Sequence, residues 1–174
     1  AAIEAGICPP VVIVAAHSAS FDPIRGNLRA AEYLPGFDEQ VYTAHQQFFM
    51  DELPAWAEAE LGVPSAPAQR GIWGCSDGGG HAAMAARLFP ERFGHAFVYS
   101  TGMPPDMAYE WTDEHPFMHL CAGTLEGPFH QATEAWAGYL MLVDAPYHFT
   151  ERVAGHDLVQ WAEELPHAIN RAWG

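Results

Sequence analysis

Residues Arg70 to Pro90 read RGIWGCSDGGGHAAMAARLFP, and this stretch decides the fold. Arg70 to Cys75 has the look of a short strand, three glycines follow at Gly78, Gly79 and Gly80, and an alanine-rich helical stretch runs from Gly79 to Phe89 before Pro90 closes it. Gly74-Cys75-Ser76-Asp77-Gly78 therefore matches G-x-S-x-G directly after a strand and directly before a helix. In that context a sharp turn lifts the serine hydroxyl above the sheet, and the glycines two residues either side leave room for it. The helix start aims backbone N–H groups and positive partial charge at the same place, with the Asp77 N–H as the natural first donor to an oxyanion.

Working outward, strands and helices alternate along the whole chain. Pro10 to Ala16 (PVVIVAA) is a wholly apolar, β-branched run of the kind expected of a strand covered on both faces. A turn-rich loop extends from His17 to about Gln40, and a helix from Ala44 to Leu61 follows, kinked or split at Pro54 and stopped by Gly62. Further strands are expected at His95 to Ser100, Phe117 to Ala122 and Tyr147 to Val153, with helices at His130 to Leu142 and Leu158 to Trp173. The pattern predicts one α/β domain over residues 1–174, with a mainly parallel sheet of about five strands flanked by helices. Sites in such sheets lie at the carboxyl ends of the strands.

Composition excludes several function classes. All seven basic residues are arginine, so P-loop phosphate binding, Schiff-base catalysis and pyridoxal chemistry, which each need a lysine, cannot be here. A formal charge of −15 disfavours nucleic acid and anionic membranes as partners. The longest apolar run is far too short to span a bilayer, and three cysteines read as reduced thiols suit a cytoplasmic setting. His115 and His119 are four apart, the spacing of a helical metal pair, but Pro116 between them argues against a helix, and no metal or other cofactor is expected.

Ser76 needs a base, and ten histidines compete. In this class of fold the chain order is serine, acid, histidine. Gly155-His156-Asp157 follows the last predicted strand, so His156 fits, whereas His130, His148 and His167 fall within elements or too late. The loop after the penultimate strand, Gly123-Thr124-Leu125-Glu126-Gly127, offers Glu126 as the acid, with Asp144 the fallback. Met103, Tyr109 and Trp111 follow a strand's carboxyl end and are candidates to line a substrate pocket, although the aromatics fit a packing role equally. Arg29 and Glu32 read as a structural ion pair.

The sequence resembles the α/β-hydrolase esterases that include esterase D, enterobactin esterase, feruloyl esterases and the antigen 85 acyltransferases. The resemblance rests on Arg29 to Gly36, the helix holding His45, Phe48, Phe49, Glu52 and Leu53, the GCSDGG turn, Ser100-Thr101-Gly102, and the AGTLE and AGHDLVQW segments. It implies a serine carboxylesterase in which Ser76 is nucleophile, His156 base and Glu126 acid, working without a cofactor on a small-molecule ester. A non-catalytic binding protein of the same fold and an acyltransferase are the competing readings. Family members begin with additional strands, one leading to a loop that donates a second oxyanion N–H. Here Ala1 to Gly6 resembles the end of the helix after that strand, which leaves His17 and Ser18, in the loop up to Ser20, as substitutes beside the substrate. A chain short at this end would expose sheet surface, and the expected cover is either a second copy of the chain, as a homodimer, or a missing portion supplied separately.

Overall fold

The computed structural model describes residues 2–18, 21–22, 24, 26–108 and 110–174. Two compact units emerge, Val11–Ser65 and the combination of Ala1–Pro10 with Ala66–Gly174. In Val11–Ser65, the two-residue strands β1 (Phe21–Asp22) and β2 (Gly26–Asn27) pair antiparallel and lead into α1 (Leu28–Tyr33), α2 (Glu39–Gln47) and α3 (Leu53–Leu61). Asp38 starts α2 by accepting hydrogen bonds from the Gln40 and Val41 N–H groups, both at 3.1 Å. A π-helical turn, Phe48–Glu52, separates α2 from α3. Pro54 lacks an N–H and its ring collides with the carbonyl four residues back, so the widened turn falls immediately before it and divides the helical stretch, as expected at this proline. Gly62 then closes α3 with φ +63°.

The expected strand at Pro10 to Ala16 does not form; the run is irregular, with Val12 and Ile13 more than 60% exposed. Apolar β-branched composition supplies strand propensity only, whereas a strand also needs ladder partners for its backbone groups. Pro9 and Pro10 remove two donors at its start. The α1 helix, in contrast, lies inside what reads from sequence as loop.

The second unit carries β3 (Gly71–Cys75), α4 (Asp77–Leu88), β4 (His95–Tyr99), β5 (Phe117–Gly123), α5 (Pro128–Leu142), β6 (Tyr147–Arg152) and α6 (Leu158–Trp173). Its sheet has four strands in the order β3-β4-β5-β6, all parallel, one fewer than expected. Each crossover steps the same way, so right-handed connections place α4 and α5 on one face and leave the other for α6. Side-chain alternation assigns Ile72, Ala96, Val98, Met118 and Leu120, all buried, to the α4 and α5 side. Phe97, Tyr99 and Cys121 face the other way and pack with Trp161, Leu165, Ala168 and Trp173 of α6. Burial pushes the Cys121 thiol up to about 12, so it is a packing group and not a nucleophile. Residues Ala2 to Ile7 make the paired bonds Gly6 N–H to Ile3 O and Ile7 N–H to Ala2 O, with Gly6 left-handed, which is the geometry of a helix ending.

On the α6 face one buried polar group sets a pH limit on stability. His119 lies stacked on Phe97 at 4.6 Å, with its Nε2 3.1 Å from His95 Nδ1, and Trp173 meets His95 edge-on. Burial first, then the positive charge that His95, Arg171 and His148 would present, pushes the His119 imidazole down to about 3. Because an unfolded chain titrates this histidine near 6.5, the unfolded state alone takes up a proton between roughly pH 6.5 and 3. The stability is therefore complete above about pH 6.5 and declines as the pH falls through that window. Denaturant unfolding should show His119→Phe losing less stability than the parent between about pH 7 and 4.5; residual dependence should remain from His95 and His148, which burial also holds low. Identical pH dependence in both proteins would contradict the assignment.

Candidate active site

Ser76 sits between β3 and α4 with φ 58° and ψ −124°, a backbone conformation that L-residues with side chains rarely adopt. The turn is held by the Ser76 N–H bonded to Tyr99 O and by the Gly80 N–H bonded to Ser76 O. The Ser76 hydroxyl makes no cap bond to the helix it precedes, so it is not consumed by secondary structure. Asp77 is the first residue of α4, where the helix itself leaves N–H groups without intrahelical acceptors.

The glycines do not contribute equally. A Cβ on Gly74 would lie 1.8 Å from Gly78 O, and one on Gly79 would lie 2.7 Å from Tyr99 O. A Cβ on Gly78 would meet nothing within 4 Å. The expectation that both flanking glycines avoid a collision is thus corrected: Gly74 does so, because the helix start folds back onto the strand beneath it, and Gly78 has open space.

Glu126 and His156 come from separate loops at the same carboxyl edge. Gly123 ends β5, and the loops after β5 and β6 are joined by the Thr124 N–H to Arg152 O and the Leu125 N–H to Ala154 O. Gly123 permits this approach, since a Cβ there would be 2.3 Å from Ala154 O. His156 directly precedes Asp157, whose carboxylate caps α6 by accepting from the Val159 and Gln160 N–H groups. The result is a 2.5 Å hydrogen bond between His156 Nδ1 and Glu126 Oε2, with the Glu126 side chain fully buried and that of His156 28% exposed. Phe129 stacks on the imidazole at 3.9 Å and Trp161 meets it edge-on at 5.0 Å.

This bond fixes the tautomer. Glu126 Oε1 receives the Ser100 hydroxyl at 2.7 Å, the Gln160 side-chain amide at 3.1 Å and the Gly123 N–H, so every partner of the carboxylate is a donor. His156 Nδ1 must then carry the proton that it gives to Oε2, so that in the neutral imidazole Nε2 is the nitrogen with the lone pair. Register places Ser76, after β3, beside Ser100, after β4, and Ser100 touches Glu126, after β5.

The other expected residues are placed as follows. Asp144 precedes β6, at the opposite edge of the sheet, and cannot serve as the acid there. His130 bonds Glu151 at 2.7 Å, His148 lies within β6, and His167 is exposed on α6. His115 is tied to Thr112 while His119 lies on β5, so their spacing of four is not helical. Met103 is half-buried, donating its N–H to Thr101 Oγ1 and accepting from Trp136 Nε1. Trp111 packs on His115 at 4.1 Å and against Tyr139 of α5. Tyr109 lies outside the described residues. His17, exposed, and Ser18, half-buried, belong to the unit Val11–Ser65; Ala19 and Ser20 lie outside the described residues. Ser100, Gln160, Phe129 and Trp161 are the participants that sequence reading missed as site residues. The signal for Ser100 was its position at a strand's carboxyl end, and for Gln160 and Trp161 the first turn of a capped helix beside His156.

A family model described as "Putative esterase" matches residues 1–139. The chain belongs to the esterase family. No curated protein sequence gives a significant match. Among solved structures, this chain resembles a ferulic acid esterase with TM-score 0.66 and 18% identity, over 75% of this chain and 61% of that one. It also resembles the S-formylglutathione hydrolase FrmB of Staphylococcus aureus (TM-score 0.62, 19% identity, 76% and 64% covered) and the enterobactin esterase FES of Shigella flexneri (0.67, 22%, 85% and 41%). The chain spans less than two thirds of each of these three relatives, and at such identities the likeness establishes a shared α/β fold. Among the described residues, no helix is long and apolar enough to cross a membrane.

The glycine geometry yields a direct comparison. Gly74→Ala should destabilise the fold by about 3 kcal/mol or more, because a backbone collision cannot be relieved by rotamer change. Gly78→Ala should be neutral or gain up to about 1 kcal/mol, as alanine favours a helix. Equal denaturation midpoints for the two variants would contradict this account of the turn.

Proposed function

We propose that the esterase is a serine carboxylesterase acting through an acyl-enzyme on Ser76. The Ser76 hydroxyl attacks the ester carbonyl, His156 Nε2 takes its proton, and the tetrahedral oxyanion is met by the Asp77 N–H at the start of α4. His156 returns the proton to the departing alcohol, leaving the acyl group on Ser76 Oγ. Water, deprotonated by the same nitrogen, attacks the acyl carbonyl; collapse releases the carboxylic acid and restores the serine. Glu126 holds the imidazole in the useful tautomer and stabilises it while protonated.

One observation supports this reading most strongly: the buried carboxylate of Glu126 bonds His156 Nδ1 at 2.5 Å and so leaves Nε2 free to act as a base. A strained turn whose serine hydroxyl makes no cap bond to α4, at the same sheet edge, adds to it. The net charge of −15 favours neutral aryl or alkyl esters over multiply anionic ones.

With a neutral chromogenic ester such as p-nitrophenyl acetate, Ser76→Ala should abolish turnover without moving the unfolding midpoint. Glu126→Gln should lower turnover by a factor on the order of ten thousand, since an amide can present the wrong hydrogen-bonding group to Nδ1. Parent activity should fall on the acid side as the base becomes protonated. Ser76→Ala turning over the ester within a few-fold of the parent would overturn the mechanism, and so would a rate independent of pH from about 5 to 8.

A further inference from the structure

Glutamate carries one more methylene than aspartate, so a glutamate acid has an additional rotatable bond to suppress before it can orient an imidazole. The contacts at Glu126 do this through one oxygen. Oε1 accepts from Ser100 Oγ, Gln160 Nε2 and the Gly123 N–H, and only Oε2 is left for His156. The direction of each proton is determined. Trp161 Nε1–H can only donate, and it lies 2.7 Å from Ser100 Oγ, so Ser100 must accept from the indole and turn its own proton towards Glu126. Gln160 Nε2 faces three oxygens, Gly155 O at 2.5 Å, Glu126 Oε1 at 3.1 Å and Ser100 Oγ at 3.5 Å; the first two can only accept, which requires its NH2 end there. Its own Oε1 is buried without a hydrogen-bond partner among the described residues. Gln160 is 2% exposed, so an unpaired carbonyl is kept in the interior in exchange for that NH2 placement.

We propose that Ser100 and Gln160 are positioning residues for the esterase reaction: together they lock Glu126 Oε1 so that Oε2 alone addresses His156. The proposal rests on the reading of Ser76, His156 and Glu126 as the reacting set. Gln160 also bonds Gly155 O, the residue before His156, and so ties the acid and the base's own loop to one side chain. Ser100 adopts φ 47°, a strained conformation that brings its hydroxyl over the end of β5.

Two measurements test this. The first is the downfield proton NMR signal of the His156 Nδ1–H in the resting protein, identified by its disappearance in Glu126→Gln. The second is p-nitrophenyl acetate hydrolysis resolved into kcat and KM. Ser100→Ala and the isosteric Gln160→Glu should both move the NMR signal upfield and lower kcat by about 10- to 100-fold, the scale of a lost hydrogen bond to a charged group, with KM within about two-fold of the parent. Gln160→Glu should regain activity relative to the parent as pH falls, because the introduced carboxyl can donate to Oε1 once it is protonated and repels it while ionised. A purely structural role would not reproduce that inverted pH profile. An unmoved signal in both folded variants would overturn the proposal, as would unchanged kcat. Should Ser76→Ala remain active, the mechanism itself falls, whereas the NMR signal still reports whether Glu126 is held by these two residues.

Discussion

A carboxylate removed entirely from water is costly unless its charge is met, and Glu126 is so removed. Its donors come from three different places: Ser100 after β4, Gly123 at the end of β5, and Gln160 and His156 at the start of α6. Each contact is available only if β4, β5 and β6 end in register and α6 begins at the residue it does. Glu126 therefore works as a constraint on the whole carboxyl edge of the sheet. Gly123, Asp157 and the strained Ser100 can be understood as the local conditions that let the donors converge.

Beneath this edge, α6 is fixed a second time. Glu164, 2% exposed, accepts from Thr150 Oγ1 at 3.0 Å, from Arg152 at 2.9 Å and from Arg171. Burial alone would raise its pKa, but the hydrogen bonds from Arg171, Arg152 and Thr150 outweigh it and hold the group below the usual carboxylate value. Two buried glutamates thus anchor α6 against the sheet, Glu126 at the helix's first turn and Glu164 at its middle. The apolar packing of Trp161, Leu165 and Ala168 on Phe97, Tyr99 and Cys121 supplies the non-directional part of the same interface.

Much of this was legible in the sequence because the signals were local. The glycine cluster after a short strand located the Ser76 turn, and α6 was expected at its observed bounds, Leu158–Trp173, where the structure shows Asp157 capping it. Chain order and position after strands singled out Glu126 and His156, and the structure brings these two side chains together. What sequence could not show was convergence: Ser100 and Gln160 are sixty residues apart, and nothing in either neighbourhood reveals that both reach one oxygen. Pro10 to Ala16 failed for the converse reason. Its composition described a strand, but pairing depends on neighbours that composition does not specify. Gly78 read as a steric requirement because the pattern contains it, whereas the close approach runs through Gly74.

In the proposed reaction the hydroxyl on the strained turn at Ser76 is a nucleophile activated by the Glu126-bound His156. Covalent capture with a small fluorophosphonate, read by intact mass and peptide mapping, addresses it without reference to any substrate. The account predicts one adduct per chain, on the peptide containing Ser76, formed much more slowly when His156 is replaced by alanine. An unlabelled chain, or labelling at another residue with Ser76 untouched, would contradict it.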